Sequence, residues 1–111
     1  LAKETLRAVA PNQDTATTVE DIQRMACGYF GIRLADLKSR RRHRAVSFPR
    51  MIAMYICRQR LGTSYPELGE RFGGKDHTTV ISAVRKISGL VEAQDEQVLG
   101  AVGAIERKLG I

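Results

Sequence analysis

Two adjacent glycines set before a polar, hydroxyl-rich stretch constrain this chain most: residues 72–80 read FGGKDHTTV. Paired glycines reach backbone angles closed to other residues, so they mark a tight turn. Upstream, Ser64 is placed to cap a helix, with Pro66 near its first turn and Glu67 three residues after the cap. Leu68 and Phe72, four apart, share one buried face of that helix. Downstream, a helix begins at Lys75 or Asp76, carries Val80, Ile81, Val84 and Ile87 at helical spacing, and closes at Gly89. Helix, glycine turn, helix is the grammar of a helix-turn-helix.

The remaining segments are also helical. Thr18 and Asp21 form a capping pair, followed by an apolar face of Val19, Ile22, Met25, Ala26, Tyr29 and Phe30, with Gly31 as the stop. Residues 34–37 make one short turn, with Leu34 and Leu37 facing inward. Residues 39–47 are too charged to pack and read as a loop. The next helix starts at Val46 or Pro49 and runs to Leu61, with Pro49 in its first turn, where no N–H is needed. Ile52, Ala53 and Ile56 mark its inner face; Met51, Met54 and Tyr55 are core filler; Arg50, Arg58 and Arg60 point away. A last helix over residues 91–109 carries Val98, Val102, Ile105 and Leu109. Residues 1–10 show a short helical stripe that Pro11 stops, and residues 12–17 read as a linker. No strand pattern occurs. The expectation is one all-α domain of five to six helices over residues 18–111, preceded by a connector.

Charge narrows the function. The chain carries a net charge of +6, and residues 38–60 hold eight bases, seven of them arginine, with no acid. Elsewhere the two signs are mixed. Arginine's planar fork matches phosphate oxygens and guanine edges, so the local excess points to nucleic acid rather than to a merely solvated loop. The hydrophobic share of 43% excludes a disordered chain, and no apolar run is long enough to span a membrane. Cys27 and Cys57 fall within apolar helical patterns and read as buried free thiols. A metal site of these two with His43 and His77 lacks any short ligand spacing, so no metal is expected.

In a helix-turn-helix the first residues of the second helix meet base edges in the major groove. Here these are Lys75, Asp76, His77, Thr78 and Thr79. Thr78 can offer a methyl to thymine and a hydroxyl to a base or phosphate, and Asp76 can accept from a cytosine amino group. Asp76 serves equally well as a helix cap, and the residues alone leave both roles open. His77 can hydrogen-bond a base edge; no nucleophile or partner carboxylate makes it catalytic. Lys75 and Thr79, with free N–H groups at the helix start, suit a phosphate. The arginines of residues 40–44 form an arm that fits a narrow A/T-rich minor groove or grips phosphates. Arg50 and Arg58 read as phosphate contacts.

These residues resemble the C-terminal DNA-binding domain of the DnaA family of bacterial chromosomal replication initiators. FGGKDHTTVISAVRKI, residues 72–87, is similar to the family signature FGGRDHTTV with its A-x-RKI ending. ADLKSRRRHRAVSFPRMIAMYICR, residues 35–58, resembles the family's basic loop and second helix, and SYPELGERFGG, residues 64–74, its SLPEIGxxFGG. The likeness covers residues 18–109, and residues 1–10 are similar to the connector helix that follows the family's ATPase module. The resemblance implies a Trp-repressor-like helix-turn-helix bound to asymmetric DnaA boxes of the TTATNCACA kind. It implies Arg42 as the minor-groove reader and Pro66, Asp76, His77 and Thr78 as major-groove base contacts. Arg44, Arg50, Arg58, Tyr65, Lys75, Thr79 and Lys86 would hold the DNA backbone.

The resemblance also implies a cytoplasmic, nucleoid-associated protein that binds one box per monomer, oligomerises through other domains, and meets regulatory protein partners. Three positions depart from the family pattern. Lys75 replaces an arginine and turns a bidentate grip into a point charge. Met51 stands where glutamine is common, removing one polar contact, and Leu61 where threonine is common. ATP belongs to the family's AAA+ module; no G-x-x-x-x-G-K-[ST] stretch occurs here, so no cofactor and no enzymatic activity are expected of this chain. Two other functions compete. A stand-alone regulator acting as a symmetric dimer lacks a heptad seam. A small nuclease or RNA-binding module lacks a stacking platform, aromatics being 5%.

Overall fold

The computed structural model describes residues 17–111. The expected connector helix of residues 1–10 and the linker up to residue 16 lie outside the described residues. Six α-helices follow: α1 (Val19–Phe30), α2 (Leu34–Leu37), α3 (Arg44–Ile56), α4 (Tyr65–Arg71), α5 (His77–Glu92) and α6 (Glu96–Leu109). A wider π-type turn, Cys57–Leu61, extends α3. No strand occurs among the described residues, so the all-α reading holds.

Local chemistry fixes most ends. Thr18 and Asp21 form a reciprocal capping box, each side chain accepting from the other's backbone N–H at 3.2 and 2.9 Å. Ser64 Oγ accepts from the Glu67 N–H at 3.2 Å and opens α4. Gly31, Gly62 and Gly110 close α1, the π-type turn and α6 in the left-handed conformation.

The core is one cluster to which every helix contributes. Ile22 and Ala26 of α1, Leu37 of α2, Ile52 and Ile56 of α3, Leu68 of α4, Val80 and Ile87 of α5, and Val98 and Ile105 of α6 are all buried. Each fully buried Val, Leu or Ile side chain among these contributes about 1.5–3 kcal/mol. α3 runs through the middle, against α1 on one side and α5 on the other. α1 also packs on α6, and α4 on α5.

Four expectations need correction. α3 begins at Arg44, not at Val46 or Pro49, because His43 caps it: Nδ1 accepts from the Ala45 N–H at 3.2 Å. Pro49 is therefore interior and buried, and the basic loop shrinks to residues 39–43. A charged first turn needs no burial, which is why composition alone misplaced it. Gly89 does not end α5, which continues to Glu92 because Leu90 and Val91 pack against the core. The break falls at Gln94, a non-glycine residue with φ 59, and Asp95 starts α6 by accepting from the Val98 N–H at 3.0 Å. Tyr29 is 42% exposed, and Gln23 and Cys27 fill the buried face in its place. Finally, Arg50 does not point away from the core; it is only 6% exposed.

Candidate nucleic-acid interface

The turn between α4 and α5 builds the reading end. Gly73 and Gly74 have φ of 92° and 77°, conformations that L side chains rarely adopt. The Lys75 N–H then donates to the Gly69 carbonyl at 2.8 Å and folds the turn back on α4. Gly69 is required here too, because a Cβ on it would overlap the Lys75 carbonyl. Asp76 is the N-cap of α5: its Oδ1 accepts from the Thr78 N–H at 2.8 Å and from the Thr78 hydroxyl at 2.7 Å. Those two bonds, with His77 beside it, hold the Asp76 carboxyl below its ordinary range. His77 Nδ1 lies 3.5 Å from the same carboxylate, and both side chains are more than half exposed.

The cap role of Asp76 is thus realised, and it leaves the carboxylate open to solvent. The Thr78 hydroxyl proton is committed to Asp76, so towards a ligand this side chain offers its methyl and an acceptor lone pair. The free N–H groups expected at Lys75 and Thr79 are not free. The first donates to Gly69 and the second to the Asp76 carbonyl at 3.0 Å.

The basic loop has no regular structure of its own; two cations beneath it take up carbonyls of the loop and of the end of α2 that leads into it. Arg50 donates through Nε to the Leu37 carbonyl at 2.8 Å, through Nη1 to Arg41 at 2.9 Å, and through Nη2 to Asp36 at 3.2 Å. Lys75 Nζ donates to the carbonyls of Ser39 and Phe72, both at 2.7 Å, and of Lys38 at 3.3 Å. Burial lowers the pKa of Arg50. Burial, then the charges of Arg50 and Arg40, lowers that of Lys75. Among the described residues neither cation pairs with a carboxylate. Arg40, Arg41 and Arg42 stand exposed above them.

A groove between α3 and α5 gathers Arg42, Ser47, Met51, Lys75, Thr79, Ser82 and Lys86. Thr79, Ser82 and Lys86 follow one another at i, i+3, i+7 along α5, a polar stripe spanning about 10 Å of helix. Ser47 and Ser82 line this groove without standing out in the sequence; for Ser82 that stripe on the recognition helix is the signal available. Arg58 and Tyr65 meet at the other end of the helix-turn-helix, the guanidinium 4.4 Å above the ring and bonded to the Thr63 carbonyl at 3.0 Å. Pro66 is exposed in the first turn of α4. Arg44 lies apart from the groove. Its guanidinium covers the Phe48 ring at 4.5 Å and reaches Gln97 of α6 at 3.1 Å. Arg60 is paired with Glu106 at 2.8 Å. Both cysteines are buried free thiols, with Cys57 pushed up to about 12 by burial. Among the described residues no three His, Cys, Asp or Glu side chains are grouped as a metal requires. No helix among them is long and apolar enough to cross a membrane.

The arrangement is that of a nucleic-acid reader: a capped helix start with exposed polar side chains, flanked by an exposed arginine loop. Residues 19–87 match the bacterial dnaA protein helix-turn-helix family. The chromosomal replication initiator protein DnaA of Magnetococcus marinus is 49% identical over 87 residues, covering 78% of this chain and 20% of that protein. The DnaA of Geobacter sulfurreducens is 40% identical over 109 residues, 98% of this chain and 24% of its own length. That of Zymomonas mobilis is 44% identical over 105 residues, 95% of this chain and 22% of its own. The chain thus spans less than a quarter of the length of these relatives. It belongs to the DnaA family, as a C-terminal DNA-binding helix-turn-helix domain.

Proposed function

We propose that this domain recognises double-stranded DnaA boxes of the TTATNCACA kind in the initiation of chromosomal replication. α5 enters the major groove, where Asp76, His77 and Thr78, with Pro66 from α4, meet bases. Arg42 enters the adjacent minor groove, where a narrow A/T-rich stretch concentrates negative potential. Lys86 and Thr79 along the α3–α5 groove, and Arg58 with Tyr65 at the far end, hold phosphates. Arg44 is a further phosphate ligand at the loop's edge. One domain covers one asymmetric box, in bacterial cytoplasm at the nucleoid. ATP use, oligomerisation and contacts with regulatory proteins belong to the longer protein.

The observation that carries this reading is the juxtaposition of the exposed Asp76–Thr78 helix start with the exposed arginines 40–42, joined through Lys75. A titration of the domain on a box against a one-base variant, at two salt concentrations, tests it. The variant should bind about 1–3 kcal/mol more weakly, and both affinities should fall steeply with salt. Equal affinity for box and variant would sink the proposal.

A further inference from the structure

Lys75 sits in the turn that aims the recognition helix, yet its ammonium lies under the arginine loop. An ammonium has three N–H donors, and here there are three carbonyl acceptors: Lys38, Ser39 and Phe72. No proton is left over for a phosphate. Arg50 does the same where α2 leads into the loop, on the carbonyls of Asp36 and Leu37, and within the loop on the Arg41 carbonyl and on Ser39 Oγ at 3.4 Å. A third contact joins the same two segments without any charge. The Lys38 carbonyl rests on Gly73, where a Cβ would overlap it. The loop and the turn thus share one backbone seam, and the side chains of the exposed arginines take their origin from it.

We infer that Lys75, with Arg50, is a positioning residue that locks the arginine loop to the helix-turn-helix turn and so fixes the register between minor-groove and major-groove reading. The inference rests on the function proposed above and departs from the expectation that both residues grip phosphates directly. A loop left free would have to be ordered at the moment of binding; one held in advance is not. Among the described residues the two cations have no carboxylate partner, so the seam also keeps its positive field directed at the DNA.

The test is a double-mutant cycle of Lys75→Met with Arg42→Ala. Binding is measured on a box, on a box altered only in its A/T half, and on a box altered only in the half facing His77. Positioning predicts that Lys75→Met lowers discrimination at the A/T half by roughly tenfold, as Arg42→Ala does. The double variant should lose no more than Arg42→Ala alone, within about twofold. Discrimination in the other half should stay within about twofold of wild type. A direct phosphate contact predicts instead uniform weakening on every sequence, a salt slope lower by about one, and additive losses; that outcome overturns the inference.

A second measurement needs no variant. In the unaltered domain the Lys75 ammonium 15N signal should be protected from solvent exchange and should hold its position when DNA is added. A shift with coupling to DNA phosphorus would overturn the inference. A wild-type domain that cannot tell box from scrambled duplex overturns the proposed function and the inference with it. A discriminating wild type with additive losses overturns the inference alone.

Discussion

The two elements proposed to read DNA are held in opposite ways. The start of α5 is fixed almost wholly by its own neighbours: Asp76 caps it through the Thr78 N–H and hydroxyl, two residues away. The arginine loop is fixed from a distance. Its carbonyls, and those of the end of α2 that leads into it, are held by Arg50, 9 to 14 residues on, and by Lys75, 36 and 37 residues on. A self-capped helix keeps its geometry wherever it is placed. A loop held by remote cations keeps its geometry only while the rest of the domain is folded around it.

The contrast can be broken most severely at the seam. Gly73→Ala places a Cβ against the Lys38 carbonyl at a positive φ, so the loop and the turn must part. The expected loss is about 2–4 kcal/mol in urea unfolding, the sum of backbone strain and overpacking. A loss below about 1 kcal/mol would mean that the two segments separate readily.

Arg50→Met comes next. It keeps the buried aliphatic stem but strips hydrogen bonds from two carbonyls at the end of α2, from the Arg41 carbonyl in the loop and from Ser39, for an expected loss of about 1–3 kcal/mol. Hydrogen exchange should speed up at amides 37–42 and leave α5 protected. Equal acceleration in α5 would show that the two elements are one unit after all.

Asp76→Ala should have the smallest effect, and a pH-dependent one. The carboxyl is depressed below its ordinary 3.8, so its stabilisation is fully present above that pH and is lost as pH falls through the lower folded value. The difference in Tm between wild type and variant should be constant near neutrality and should vanish in acid, once pH has fallen through the lowered folded pKa. A difference that persists in strong acid would separate the cap from the charge.

Legibility in the sequence follows the same division. The caps at Thr18, Ser64 and Asp76 and the Gly73–Gly74 turn could be read because each rests on residues within a few positions. The burial of Arg50 could not. An arginine in a basic run looks like every other arginine until three-dimensional packing presents it with carbonyls in place of solvent. For the same reason the carbonyls that surround the Lys75 ammonium are not legible in the sequence. The helix over residues 44–56 was read short because its first turn is charged, and the one over residues 77–92 because a surface glycine costs a helix only about 1 kcal/mol. Leu90 and Val91 exceed that by packing against the core. The exposed helix start itself, His77 and Thr78 included, was visible from the outset in the nine residues FGGKDHTTV.

The central claim is that two separately held elements read two different parts of one site. It is tested most directly by binding Arg42→Ala and His77→Ala to a set of boxes altered one base pair at a time. Each variant should lose about 1–3 kcal/mol of discrimination at its own base pairs and keep it elsewhere, Arg42→Ala in the A/T-rich half and His77→Ala in the other. Uniform loss across all base pairs by either variant would contradict the account.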